Sequence, residues 1–302
     1  MRIHRSAVDI VVQAPAKLNL FFEVLAKRDD GYHEIETLML PVDLYDTLSF
    51  REEPSGQLEL KSEWAPGPGD LDGTGLGELP QGRDNLVLRA VELLQKRGHV
   101  SSGATLRLVK RIPMAAGLGG GSSDAAAALV AANEGWGLGW RRPELAVLAT
   151  EVGSDVPFFL ADGPAVCRGR GERVEKVDGL PVLHFVVVRP PEGLSTAAVY
   201  DACEPAKCPE ALSPLLDALI KGDTDGAGRL LFNRLRPAAG RLSPWIERTQ
   251  EELSRQDVLG HQMSGSGTSY FGLCRHARHA RRIARRLQAN GVGSVFAVRS
   301  CR

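Results

Sequence analysis

Residues 112–129, IPMAAGLGGGSSDAAAAL, set four glycines and two serines immediately before an alanine-rich run. A glycine run lets successive backbone N–H groups point one way without a Cβ penalty. A helix beginning behind it adds unpaired N–H groups and a positive dipole end. Together these suit a polyphosphate. Serine hydroxyls at such a helix start can cap it, touch phosphate or hold a magnesium ion. Two common glycine signatures fail: Ser122 stands where G-x-x-x-x-G-K-[ST] needs lysine, and G-x-G-x-x-G read from Gly117 or Gly119 runs into Ser122 or Asp124. A glycine-rich hinge or a tight strand-to-helix turn is the bland alternative.

Other side chains stand out by their surroundings. Lys17, in PAKLNL, falls within a mostly apolar strand pattern, an unusual place for a surface lysine, although a snorkelling stem would give the same pattern. Asn19 shares its strand parity and so its face. Asp155, in VGSDVPFF, reads by itself as a turn or capping aspartate. Tyr32 and His33 end the turn RDDGYH, while Ser195 and Thr196 open a segment that continues to Tyr200. Each tyrosine alone reads as a half-buried sheet or helix residue, and the Ser195–Thr196 pair as a helix cap.

The elements that must position these groups follow from period and punctuation. Residues 7–26 predict two strand segments joined by a bend at Pro15, followed by strands EIETLMLPVDL and DTLSFRE. Residues 66–82 hold six glycines and three prolines and predict an exposed loop. DNLVLRAVELLQKRG predicts an amphipathic helix with Asp84 as cap and Gly98 as end, and ATLRLVKRI a strand entering the glycine loop. SSDAAAALVAANEG and RPELAVLATEVG predict helices, the second with Pro143 in its first turn. From about residue 164 the pattern gives strands AVCRGRGERVEKV and LHFVVVRP and helices from about Thr196, Pro209, Thr224 and Pro244. A strand YFGLC, a helix over 276–289 and a strand SVFAVRS complete it. Strands and helices mix without a βαβ rhythm, which defines an α+β class.

Composition narrows the partners. The 302 residues, 43% hydrophobic and 25% charged, suffice for two globular domains. Basic and acidic residues balance at 37 each, so no net field draws the chain to nucleic acid or an anionic membrane, and a small-molecule ligand is expected. In RHARHARRIARRLQ the arginines lie opposite an apolar stripe of Ala277, Ala280, Ile283, Ala284 and Leu287, the mark of a solvated helix face. Five cysteines without a C-x-x-C pair argue against a disulfide framework or a structural zinc. No apolar run approaches membrane-span length and none marks a signal peptide, so a cytoplasmic protein is expected.

PMAAGLGGGSSDAAAAL resembles the ATP-binding motif of the GHMP kinase superfamily, the group of galactokinase, homoserine kinase and mevalonate kinase. MSGSGTSYFGL at 263–273 resembles its third motif. APAKLNLFFEVLAKRDDGYHEIETLMLPVDLYDTL and GSDVPFFL are similar to the branch whose acceptor is a cytidine diphosphate ester of methylerythritol. The resemblance runs from about residue 12 to 298 in the expected order. It implies two domains, an ATP-binding one over 1–163 and a ferredoxin-like α+β one over 164–302, with the active site in the cleft between them. It implies ATP and Mg2+, small-molecule substrates, and a monomer or homodimer.

Residue by residue, it implies that Asp155 is the general base and Lys17 the cation that partners it and orients the hydroxyl. Pro113, Met114, Ala115, Ala116, Gly117, Leu118, Gly119, Gly120, Gly121, Ser122 and Ser123 would bind ATP, with Ser123 also at the metal. Tyr32 and Tyr200 would stack on cytosine, His33 would read its edge, and Ser195 and Thr196 would lie by the nucleotide substrate, while the parity of Asn19 with Lys17 leads to the expectation that it bonds the erythritol part. The implied activity is phosphorylation of the 2-hydroxyl of that ester in the non-mevalonate route to isoprenoids. Another GHMP small-molecule kinase, or a non-catalytic nucleotide-binding protein of the same fold, is the alternative. One departure stands out: where the family carries acidic positions after the asparagine at 233, this chain reads NRLRPAA.

Overall fold

The computed structural model describes residues 1–6, 9–66, 79–80 and 82–301. In chain order its elements begin with β1 (Arg2–Arg5), β2 (Ile10–Lys27), β3 (His33–Glu53), β4 (Leu58–Trp64), α1 (Leu86–Arg97), β5 (Gly103–Lys110), α2 (Gly120–Gly135) and α3 (Arg142–Val152). There follow β6 (Ala165–Gly169), β7 (Arg173–Lys176), β8 (His184–Arg189), α4 (Thr196–Asp201), α5 (Ser213–Ile220), α6 (Thr224–Arg229) and β9 (Phe232–Asn233). The last are α7 (Arg236–Leu242), α8 (Pro244–Ser254), β10 (Gly260–Met263), β11 (Tyr270–Cys274), α9 (Ala277–Ala289) and β12 (Ser294–Arg299). They form two compact units that interleave along the sequence. Met1–Ala16, Leu44–Pro113 and Gly119–Asp162 make the first, and Lys17–Asp43, Met114–Leu118 and Gly163–Arg302 the second.

In the first unit β1 pairs antiparallel with residues 10–13 of β2, the end of β3 pairs antiparallel with β5, and β4 runs parallel to β5. Against these strands α2 is buried from Ser123 to Asn133, with α1 and α3 beside it. The alanine run permits this. Small side chains let the helix approach closely, and at Gly135 a Cβ would stand 2.2 Å from the Phe50 ring.

In the second unit residues 35–39 of β3 pair with β6, which turns back into β7. A separate antiparallel sheet has the order β10-β11-β8-β12. With α4–α8 between β8 and β10, and α9 between β11 and β12, the order of elements is β–α–β–β–α–β. This is the ferredoxin-like arrangement, as the resemblance implies. On α9 the apolar stripe is buried at Ala280, Ile283, Ala284 and Leu287, joined by His279.

Several expectations need correction. Residues 10–27 are one strand through Pro15, and 33–53 one strand through Pro41. Pro15 lies just past the stretch bonded to β1, and Pro41 lies between the stretches bonded to β6 and β5, so neither missing N–H falls in those ladders. The cap of α1 is Asn85, whose side chain accepts from Val87 N–H at 3.0 Å, not Asp84. The helix expected from about Pro209 begins at Ser213, and β1, β4, β9, α7 and β10 have no counterpart in the sequence pattern. Of the glycine- and proline-rich segment 66–82, residues 67–78 and 81 lie outside the described residues.

The arginine departure after residue 233 has a partner within the second unit. Glu23, wholly buried on β2, takes Arg234 in a two-pronged bond of 2.7 and 2.8 Å and also accepts the N–H groups of Val24 and Glu210. Burial raises this carboxyl, but Arg234 and the two N–H groups outweigh it and hold it below its ordinary 4.5. A carboxyl held down in the folded state stabilises above its unfolded pKa and loses that contribution as pH falls through the folded value. Glu23→Gln should therefore melt lower than the parent at neutral pH, the gap closing as pH drops below 4.5. Melting curves across pH check this, and a gap constant with pH would exclude Glu23 from the acid response.

Candidate active site

The strand-to-helix connection after β5 turns on two left-handed glycines, Gly117 (φ 71°) and Gly119 (φ 70°). Gly119 occupies the N-cap of α2, so the helix starts at Gly120 and takes two glycines into its first turn, two residues earlier than the serines suggest. No side chain caps it, which removes capping as the role of Ser122 and Ser123. Ser123 is fully buried, and its hydroxyl is without a hydrogen-bond partner among the described residues. First-turn N–H groups have no partner inside their own helix, so this end keeps its anion-binding character.

The middle of the connection is fastened to the turn between β10 and β11, which carries SGSGTS. Ser264 Oγ donates to Gly117 O at 2.9 Å, Ser269 N–H to Ala116 O at 3.1 Å, and Lys17 N–H on β2 to Leu118 O at 2.9 Å. The approach is so close that a Cβ on Gly117 would stand 2.1 Å from Ser264 O. Glycine is required there by space as well as by φ.

Lys17 is 3% exposed, and its ammonium donates to Asn19 Oδ1 at 2.5 Å. The amide of Asn19 in turn donates to Thr37 Oγ1 at 2.8 Å, and Thr37 donates to Phe21 O at 2.6 Å. Asn19, assigned from its parity to the acceptor, thus spends its oxygen on Lys17. A Cβ on Gly265, itself at φ +57°, would be 3.1 Å from Lys17 Nζ and 3.4 Å from Gly117 O, so ammonium, glycine loop and SGSG turn meet at one point.

Sequence reasoning missed Asn233. Its amide donates to Met263 O and Gly265 O, both at 2.8 Å, and its oxygen accepts from Leu235 N–H. This clamps the SGSG turn; the sequence itself offers only an asparagine set between the apolar run 230–232 and Arg234. Asp155 sits half-buried between α3 and the short 3-10 turn Pro157–Leu160, whose N-cap is Val156 rather than Asp155.

Also missed was a buried cluster in the first unit. Lys110 Nζ, at the end of β5, donates to Asp46 Oδ2 at 2.5 Å and to Asp124 Oδ2 on α2 at 2.6 Å. Burial alone would lower the ammonium's pKa, but the two carboxylates outweigh it and leave it raised. Burial pushes the Asp124 carboxyl up to about 8 against the pull of Lys110.

The residues assigned to the base lie in the second unit. The turn is tied by Arg28 N–H to Tyr32 O at 2.8 Å and by Tyr32 N–H to Asp30 Oδ1 at 3.1 Å. Tyr32 is 50% exposed, with the Arg170 guanidinium 4.7 Å from its ring centre. His33 is buried and packs 5.1 Å from the Tyr200 ring; burial foremost, then Lys27, lowers its pKa and favours the neutral imidazole. Ser195 caps α4, accepting from Ala198 N–H, and Thr196 Oγ1 bonds Ser266 Oγ at 2.9 Å. The cap reading of Ser195 therefore holds, while Thr196 joins α4 to the SGSG turn. Among the described residues no three His, Cys, Asp or Glu side chains form a metal cage, and no helix is long and apolar enough to cross a membrane.

A glycine connection bound to an SGSG turn beside a buried lysine, followed by a ferredoxin-like sheet, defines a GHMP kinase, an ATP-dependent phosphotransferase. The family models for the GHMP kinases N terminal domain and the GHMP kinases C terminal match residues 85–163 and 215–293. A 4-diphosphocytidyl-2-C-methyl-D-erythritol kinase of Pelotomaculum thermopropionicum is 44% identical over 279 residues, covering 92% of this chain and 93% of its own. A crystal structure of 4-(cytidine 5'-diphospho)-2C-methyl-D-erythritol kinase superposes with a TM-score of 0.80 at 35% identity, covering 97% of this chain and 99% of that one. A homoserine kinase of Cytophaga hutchinsonii, at 21% identity, TM-score 0.76 and coverage of 99% and 96%, shares the fold. The chain belongs to the 4-diphosphocytidyl-2-C-methyl-D-erythritol kinase family.

Proposed function

We propose that this chain transfers the γ-phosphoryl group of ATP to the 2-hydroxyl of 4-diphosphocytidyl-2-C-methyl-D-erythritol, giving the 2-phosphate and ADP, in the non-mevalonate route to isoprenoid precursors. The observation that carries the reading is the Lys17 ammonium beside the glycine connection, 3.1 Å from where a Cβ on Gly265 would stand. The substrate hydroxyl oxygen bonds to the γ-phosphorus as the bond from phosphorus to the β,γ-bridging oxygen breaks. Asp155 takes the hydroxyl proton, and ADP leaves with the bond's electron pair.

Each remaining residue has a task in this scheme. Residues 113–123 hold the nucleotide phosphates through main-chain N–H groups and the start of α2. Lys17, aimed by Asn19, orients the hydroxyl. The buried Ser123 hydroxyl, unpartnered among the described residues, would suit a protein contact to a phosphate-bound Mg2+, and no three carboxylate, His or Cys side chains among the described residues form a cage for one. The ion would supply charge neutralisation on those phosphates. Tyr32 and Tyr200 offer faces to cytosine and His33 its edge, with Ser195 and Thr196 at the start of α4, the helix that carries Tyr200. Five free cysteines fit a cytoplasmic setting.

A substrate panel tests the reading. Purified protein with ATP should release ADP with the cytidylyl ester and not with mevalonate or homoserine. Turnover of either of those without the ester would overturn the assignment, and ADP release with none of them would favour the non-catalytic alternative. Tyr32→Ala should raise KM for the ester about tenfold, the worth of one stacked base, while leaving KM for ATP within about twofold. An equal rise in both constants would remove Tyr32 from the base site.

A further inference from the structure

The Lys110 cluster is not used by the reaction, yet it touches both ends of the glycine connection. Asp46 Oδ1 accepts the N–H groups of Arg111 and Ile112, the residues by which the chain leaves β5, the latter at 2.9 Å. Its Oδ2 takes Lys110 Nζ, and the same ammonium reaches Asp124 on α2. At Gly120, the first residue of the helix, a Cβ would stand 3.0 Å from Ile112 Cγ2 and 3.2 Å from Lys110 Nζ. The entrance and exit of the connection are therefore held to one another through three side chains that are almost fully buried.

We infer that Lys110 is a positioning residue for ATP: bridging Asp46 and Asp124, it fixes the spacing between the end of β5 and the start of α2, and so the aim of the N–H groups that hold the phosphates. The inference rests on the reading of residues 113–123 as the ATP site. A buried ion pair gives little net stability against an apolar substitute, so stability alone does not account for three buried polar side chains at this junction. Main-chain donors bind phosphate well only when aimed before the ligand arrives, because aiming them afterwards costs affinity. A lysine shared by two carboxyls on different elements supplies such a fixed aim.

Asp124→Ala cuts the link to α2 while leaving Lys110 and Asp46 as a balanced pair, and Asp124→Asn keeps an oxygen that can accept from Lys110. In the full-length enzyme, Asp124→Ala should raise KM for ATP about tenfold or more and leave KM for the cytidylyl ester within about twofold, whereas Asp124→Asn should keep KM for ATP within about threefold of the parent. Amide hydrogen exchange over residues 111–123 should quicken in Asp124→Ala only. Parental KM for ATP in Asp124→Ala, or an equal rise in both substrates' constants, would reduce the cluster to a structural one. Should Asp124→Ala not fold, Lys110→Met/Asp46→Asn cuts the same tether without leaving that pair unbalanced, and the same constants decide. An enzyme that turns over the ester but shows no saturable dependence on ATP in any form would sink the ATP reading itself, and this inference with it.

Discussion

Asp155→Asn is expected to keep the affinity for ATP and to lose about two to four orders of magnitude in kcat, the usual worth of a positioned base. The substitution preserves size and shape and removes the charge and, with it, the ability to carry the proton away. The residues proposed to hold ATP lie in the glycine connection, so KM for ATP has no reason to move. The half-buried place of Asp155, on a turn between α3 and a short 3-10 turn, makes a large loss of stability unexpected as well. Steady-state kinetics beside a nucleotide titration would separate the outcomes. A kcat within a few-fold of the parent would place the base elsewhere; a matching loss of ATP binding would make Asp155 a structural residue of the nucleotide site.

Gly117→Ala is expected to be the most damaging small change in the glycine connection. An L-residue at φ 71° costs about 1–2 kcal/mol by itself. The new methyl would also stand 2.1 Å from Ser264 O, far inside contact distance, and that oxygen is backbone and cannot swing away as a side chain would. Relief requires the connection to part from the SGSG turn, breaking the Ser264 Oγ to Gly117 O bond in the same movement. Lys17 is packed against that junction through Gly265. A displacement of about 1 Å there should lower kcat/KM for ATP about 100-fold or more. Gly137→Ala is the control, with φ 63° but open space around its Cβ, so it reports the conformational cost alone. Equal effects in the two variants would show that the close approach to Ser264 does not matter.

Both expectations draw on features of unequal visibility in the sequence. The glycine connection, the lysine in an apolar strand and the parity of Lys17 with Asn19 are local patterns, carried by composition and by a period of two. Helices α1, α2, α3 and α9 and the main strands were legible for the same reason. Where an expectation slipped, the deciding partner lay far off: Pro15 and Pro41 stay within strands because of where β1, β6 and β5 bond, which no local rule contains.

The sequence by itself determined the family, the longer helices and main strands, and the residue types able to bind phosphate and move a proton, because these are written in contiguous stretches. Only the tertiary structure decided that Asn19 serves Lys17, that Asn233 clamps the SGSG turn, that Arg234 answers a buried Glu23, and that Lys110 joins Asp46 to Asp124. Those bonds link side chains up to 211 positions apart, and a buried polar group takes whichever complement the fold brings within about 3 Å. Sequence spacing carries no record of that choice, since it is made by packing after the strands and helices have formed.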